Sequence, residues 1–423
     1  MKKILLLLAI FTLSFNIQAQ DNQDNNADTL VSRDAAVNLY LDCYSCDMTY
    51  FRQNFTLVNY VRDRKVADVQ VIVSTMRNGG GGTEYIMQFI GLGRFANLKD
   101  TLKFNMKADA TSDETRKKML KTLKLGLVPY ILKTPFADKV SVNYAEEKTK
   151  TKEEDPWNNW VFRISGNAWL NGQKTYQSTN LYTTTSASRI TEDIKHQTRL
   201  NLNFSENKYR LYDSNDSLIY SANTITRSIY FEHSTIWSLG DHWGAGAELN
   251  AWQSTYSNID LGVKFSPAIE YNVFKYSNAS RKQLRFAYKL GVGYRDYTDT
   301  TIFNKTTEYL ADQRFEINFK YITDWGSIRS GVNWQNYLHD MSLYSIGTSL
   351  SMNIRLFKGL SLNIFGNLQM PRNQIGLVKT ESTPEDVLLH QRELSTKYSY
   401  YTSIGISYTF GSIYNNVVNP RLD

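Results

Sequence analysis

Cys43 and Cys46 are the only cysteines in the chain, and they stand in a C-x-x-C with Tyr44 and Ser45 between them. They follow a β-type run, Val37–Asp42, and residues from Cys43 to Gln53 could begin a helix. A thiol at a helix N-terminus has a lowered pKa, so the position suits a thioredoxin-like redox pair. Against this, Asp42 stands where such pairs usually carry Trp, and an adjacent carboxylate raises a thiol pKa. Asp47 after Cys46 excludes c-type haem attachment, and no nearby His pair completes a zinc site. A small-loop disulfide in an oxidising compartment is the simpler reading, with redox cycling as its alternative.

The histidines are His196, His233, His242, His339 and His390. A Ser-His-Asn site on the outer wall of a lipid-hydrolysing barrel needs those residues on one strand face. No His here is flanked by Ser and Asn at that spacing, and His339 with Asp340 comes nearest. Gly79–Gly82 is followed by no Gly-Lys-Ser/Thr, so the run reads as a hairpin tip and not as a phosphate loop. No catalytic residue, metal ligand or cofactor is assigned.

The remaining chemistry is electrostatic. Arg199, Glu248, Lys264, Glu270, Arg285, Lys289, Arg295, Arg314, Glu316, Lys320, Arg329 and Arg355 share the parity opposite to apolar residues. In a strand that parity is one face. Such charges either line a pore for anionic solutes or pair across a narrow lumen and fill it. The second reading is preferred, because a small barrel leaves little room beyond its long side chains.

What positions these residues is a set of long alternating runs. Leu284, Phe286, Tyr288, Leu290, Val292 and Tyr294 interleave with Arg285, Lys289 and Arg295. Similar runs cover Arg314–Tyr321, Tyr344–Leu356 and Ser403–Phe410. Period two sustained this long marks a transmembrane antiparallel β-barrel, whereas sandwich strands average about five or six residues. Short turns at Thr191–Asp193, Leu239–Asp241, Ser277–Ser280, Asp324–Gly326 and Lys358–Gly359 face longer loops at 171–178, 207–223, 299–307 and 372–397. The count comes to about twelve strands over residues 157–411. Thr383-Pro-Glu-Asp386 in the longest loop is a helix-start signature running to about Leu394.

Upstream, Met1–Ala19 has the basic start, short apolar run and small closing residue of a signal peptide. Residues 20–34 are Asp/Asn-rich and read as disordered. Residues 35–140 read as a compact α+β domain in the order β-α-β-β-β-α. Its last helix opens on a capping box at Thr111–Glu114 and carries Met119, Leu120, Leu123, Leu127 and Ile131 at helical spacing, with Pro129 expected to kink or shorten it. A charged linker, 141–156, joins the domain to the barrel. All 8 Trp lie at or after Trp157, which marks the same boundary. A net charge of +7 would permit nucleic-acid binding, but no basic run is interleaved with stacking aromatics. The positive balance suits outer-membrane lipid and lipopolysaccharide phosphates instead.

Gly405, Tyr408 and Phe410 resemble the C-terminal recognition strand read by outer-membrane assembly machinery, although a tail, 412–423, follows. Segments 41–52, 59–64, 240–243, 336–340, 355–362 and 407–421 resemble a family of bacterial outer-membrane barrels with a small N-terminal periplasmic domain. That resemblance implies fold and location and brings no catalytic residues. The element order of 35–140 is also similar, in topology alone, to the periplasmic domains of TolB and CsgG. The expectation is an outer-membrane scaffold or restricted-transport component, with its N-terminal domain binding a periplasmic partner. A lipid-acting enzyme and a thiol redox module are the alternatives.

Overall fold

The computed structural model describes residues 33–79, 81–141, 155–323, 325–357, 359–381, 383, 386, 389, 391–412 and 416. The expected signal peptide, the chain up to residue 32, linker residues 142–154, His390 and most of the tail lie outside them.

The first unit is a sheet covered on one face by helices. β1 (Val37–Asp42), β2 (Val58–Tyr60), β3 (Val69–Arg77), β4 (Thr83–Gly91) and β5 (Lys99–Met106) form it in the order β2-β1-β3-β4-β5. β1 runs parallel to β2 and β3, and the remaining pairs are antiparallel. β2 corrects the sequence-derived order. It is wholly buried but only 3 residues long, too short to show a period.

α1 (Met48–Asn54) and α2 (Ser112–Ile131) complete the unit. Glu114 N donates to Thr111 Oγ1 at 3.2 Å and Thr111 N donates to the Glu114 carboxylate at 2.8 Å, so the capping box forms. Met119, Leu120, Leu123, Leu127 and Ile131 are all buried on the sheet side of α2. Gly126 permits the close packing, since a Cβ there would lie 2.1 Å from the ring of Phe89. Pro129 falls in the last turn, and the helix runs through it to Ile131.

Cys43 and Cys46 are disulfide-bonded in the β1–α1 connection. The N-cap of α1 is Asp47, one residue beyond the pair, so neither sulfur occupies the cap. Asp47 accepts from Tyr50 N at 2.9 Å and pairs with Arg116 of α2 at 2.9 Å. The backbone N–H first and the guanidinium second hold its carboxyl below the usual range. The disulfide packs against the core, with Cys46 Sγ 3.9 Å from Met119 Sδ.

The second unit is one antiparallel meander of 12 strands in chain order. They are β6 (Trp160–Gly172), β7 (Tyr176–Ile190), β8 (Ile194–Tyr212), β9 (Leu218–Ser238), β10 (Trp243–Ser254) and β11 (Ile259–Asn272), then β12 (Lys282–Tyr297), β13 (Thr307–Thr323), β14 (Gly326–Tyr337), β15 (Tyr344–Phe357), β16 (Leu360–Pro371) and β17 (Ser399–Tyr408). The sheet curls into a barrel that presents Ile269, Val292, Val332 and Ile406 outward, all exposed, and turns charged residues inward. Short turns collect at one end and longer loops at the other, here the turn end and the loop end.

One loop differs from expectation. Residues 207–223 are mostly strand, because β8 and β9 run 19 and 21 residues and leave only 213–217 between them. About 9–11 tilted residues cross a bilayer, so this hairpin extends beyond the apolar band.

Among the described residues, β6 and β17 exchange no backbone hydrogen bonds, and the wall has a seam there. At Gly405 an added Cβ would meet only Asn363 Cβ, at 3.9 Å, an ordinary contact. Gly405 therefore makes no close approach to β16.

Candidate functional site

Inside the barrel the charges meet in pairs set by strand register. Lys289 Nζ lies 2.7 Å from Glu248 and 3.3 Å from Glu316, and Arg285 lies 3.2 Å from Glu270. Arg314 reaches Glu316 at 3.8 Å, and Tyr276 Oη donates to Glu270 at 2.6 Å. Inward glycines and alanines make room for this belt. The Lys264–Asp312 bridge, 2.8 Å long, passes directly over Gly291, where a Cβ would come within 2.8 Å of both side chains.

Asp312 is 4% exposed, so it depends on Lys264. Replacing Lys264 with Met should destabilise the refolded barrel by about 3–5 kcal/mol, because a buried charge keeps only the 3.5 Å contact from Gln335. Adding Asp312→Leu should return most of that stability in a urea titration read on unboiled gels. A double variant no better than the single one would show that the pair is not what the lumen needs.

The other charges lie at the edges of this belt. Arg295 donates to Tyr337 Oη at 2.7 Å and sits over the Trp252 and Tyr337 rings. Lys320 donates to Ala279 O at 3.2 Å, beside its cross-strand neighbour Arg329. Arg199 is 3.6 Å from Glu232. Arg355 departs from the expected lumen position. It shares the inward parity, but at the turn end it forms a double hydrogen bond with Asp42 of the N-terminal domain, at 2.8 and 2.9 Å, and stacks over Tyr40.

The two larger spaces on the lumen are of about 1020 Å³ at the turn end and about 570 Å³ at the loop end, and Glu232 lines both. The Glu232–Arg199 pair therefore stands at their junction.

The N-terminal domain lies across the turn end. Its β3–β4 hairpin tip wedges against the rim, with Gly79 so close to Ile190 that a Cβ would meet the carbonyl oxygen at 2.9 Å. Gly81, at φ +72, turns the tip beside Val161. The glycine run is thus a hairpin tip fitted to the barrel. On the far side, besides Arg355–Asp42, Asn416 accepts from Tyr60 N at 2.7 Å and donates to Asn59 at 3.1 Å.

The loop end has its own cover. Ile302 N donates to Leu377 O at 2.8 Å, Lys379 N to Thr300 O at 3.0 Å, and Glu393 N to Tyr256 O at 2.8 Å. Asn258 Nδ2 bridges Asp299 O and Gly376 O at 2.9 and 3.0 Å. Ile375 is buried against Leu310 and Tyr337. Thr383 and Asp386 form the expected cap, with Asp386 N donating to Thr383 Oγ1 at 3.1 Å and the Asp386 carboxylate accepting from Thr383 N at 2.9 Å.

The structure brings together two histidines that lie far apart in sequence. His196 and His233 share the outward face near the turn end, bonded to Thr235 and Thr198 at 2.9 Å each. His196 also stacks on Trp160. Among the described residues no carboxylate or amide completes a relay there. Asp340 does not form a dyad with His339, since it accepts from Ser342 N and Oγ at 2.9 and 2.7 Å. No group of three metal-ligating side chains occurs among the described residues.

Asp312, Glu232, Tyr337 and Asp42 were missed in the sequence. Asp312 shares the parity of Arg314 and Glu316, a signal that could have found it. Asp42 carried no such signal.

The class these observations define is a meander β-barrel with a covered, charged lumen and a small α+β domain across its turn end. No family model and no curated protein match the chain, including any for the family that its segments resemble. Among solved structures it is similar to the translocator domain of the autotransporter NalP from Neisseria meningitidis, at 12% identity and a TM-score of 0.23, over 59% of this chain and 86% of that one. At that superposition the likeness adds nothing to what the strand pairing already establishes.

Proposed function

We propose that the chain is an outer-membrane barrel acting as a scaffold or restricted-transport component, with its N-terminal domain on the periplasmic side. The observation that carries this reading is the lumen closed by the chain itself: charges paired within, a loop lid at one end and a domain at the other. An open pore would need the reverse. The outward apolar faces favour lipid, and the secretory N-terminus favours export. On this reading residues 35–140 bind or help assemble a periplasmic partner and 157–411 span the membrane. Gly405, Tyr408 and Phe410 guide insertion by the assembly machinery, and the Cys43–Cys46 disulfide staples the domain.

The test is topological. An epitope in the loop 298–306 should be reached by antibody on intact cells, and protease should cut within 142–154 only after the outer membrane is permeabilised. Purified protein should run faster unboiled than boiled. Solubility without detergent after removal of residues 1–19 would end this reading.

A further inference from the structure

The cleft between the N-terminal domain and the barrel rim, about 470 Å³, has two unlike walls. On the domain side stand Arg52, Arg62, Arg64 and Lys65, with Arg355 at the back. The lining carries five basic residues against one carboxylate, Asp63, with Asp42 beside it, so the cleft is positive on balance, although Arg64 donates to Gln70 at 2.6 Å. Arg355 is committed to Asp42, and Arg62 donates to Ser412 O. Arg52 is different. Its Nε is buried and finds no hydrogen-bond partner among the described residues. Burial also pulls its pKa down, the mark of a cation partly stripped of water. Lys65 is exposed at the cleft edge.

The opposite wall is apolar. Leu356 and Phe357 end β15, Leu360 begins β16, and Trp325 stands in the β13–β14 turn. Leu356 and Leu360 continue the outward face of the barrel, and Leu356 and Phe357 are 53% and 61% exposed. A small soluble anion would use the basic wall and leave this apolar wall wet. An amphiphile uses both.

We infer that this cleft binds the headgroup of an anionic phospholipid from the leaflet at the turn end. Its phosphate sits between Arg52 and Lys65, and its acyl chains lie along Leu356, Phe357 and Leu360. Guanidinium and ammonium donors match phosphate oxygens, and interfacial cations attract anionic lipid. The lipid would fill the joint on one flank of the Arg355–Asp42 contact and so tie the domain's position to the membrane.

The inference rests on the membrane reading above, and its test separates the two. The full chain is reconstituted in vesicles of phosphatidylethanolamine with phosphatidylglycerol, extracted gently, and its retained lipids counted by native mass spectrometry. The wild type should retain phosphatidylglycerol in preference to phosphatidylethanolamine. Arg52→Gln with Lys65→Gln should lower that preference about thirtyfold, the factor expected for two interfacial cations. Arg77→Gln, at the other cavity, should leave it unchanged. Should Arg52→Gln impair folding, Lys65→Gln alone still decides, by about fivefold. Equal preference in wild type and variants overturns the site. So does phosphatidylglycerol retention that inorganic phosphate abolishes at the concentration at which it binds, because the ligand is then a soluble anion. If the membrane reading itself fails, the wild type does not insert into vesicles at all.

Discussion

In a planar bilayer the full chain should show no sustained conductance steps, and removing both covers, with a short Gly/Ser connector in place of residues 373–397 and residues 35–141 deleted, should produce them. The lid is held by backbone hydrogen bonds from Ile302, Lys379 and Glu393 and by the double contact of Asn258 with Asp299 and Gly376. Each such bond is worth about 0.5–1.5 kcal/mol, and Ile375 adds a buried apolar anchor. Together they make spontaneous opening rare on the timescale of a recording. Beneath the lid, the loop-end cavity leads to Glu232 and Arg199, so Glu232→Ala in the uncovered chain should raise the conductance further and weaken any cation preference. Steady ohmic conductance in the wild type, equal to that of the uncovered chain, would mean that the covers are no barrier. The function would then be that of an open pore.

The second expectation concerns the seam. Two unpaired strand edges in hydrocarbon leave backbone N–H and C=O groups without partners, which a spanning structure cannot sustain. β6 and β17 should therefore pair in the membrane. The stagger of the sheet limits how. Arg163, Ser186, Arg199, Glu232, Asn250, Lys264, Gly293 and Leu310 are successive cross-strand partners. That path starts near the turn end of β6 and reaches the loop end of β13, so β17 must meet β6 displaced toward its turn end. The register that best matches side chains sets Phe162 opposite Tyr408, Ile164 opposite Ile406 and Gly166 opposite Ile404. It places Trp169 opposite Tyr401 inside and seats Gly405 beside Ser165. Cysteines at 164 and 406 should then form a disulfide in the inserted protein, whereas 164 with 404 or 408 should not. A crosslink at 404 or 408 would move the register by two residues, and none at any of the three would leave the wall open.

How much of this was legible follows from where each feature gets its signal. Strands that separate lipid from a wet lumen must alternate, so 284–295 and 344–356 declared themselves. The ends of β8 and β9 did not, because outside the apolar band both faces of a hairpin are wet and the period disappears. Lys208–Tyr212 and Leu218–Asn223 accordingly look like loop in the sequence. Helix α2 was readable from Thr111, Glu114 and the spacing of its buried face, all local features. The lumen charges were identifiable by parity. Which charge meets which was not, since Lys264 finds Asp312 only after register places a glycine between them. Asp42 and Arg355, 313 residues apart, share no local pattern at all. Cover at both barrel ends likewise became visible only with the tertiary structure.

The strand order has a kinetic side. Every barrel strand described above pairs only with its neighbours in the chain, so each hairpin forms by closing a short connection at small entropic cost. Contacts of that kind belong to fast folding, and an error in one hairpin need not propagate to the next. The joining of β6 to β17 is the exception, because it brings together the two ends of the whole meander. Folding should thus divide into quick local steps and one slow search. During that search the nascent barrel carries two bare edges, open to proteases and to pairing with other chains. Substitutions in the closing strands should lengthen the life of this vulnerable species, and substitutions elsewhere in the wall should leave it nearly untouched.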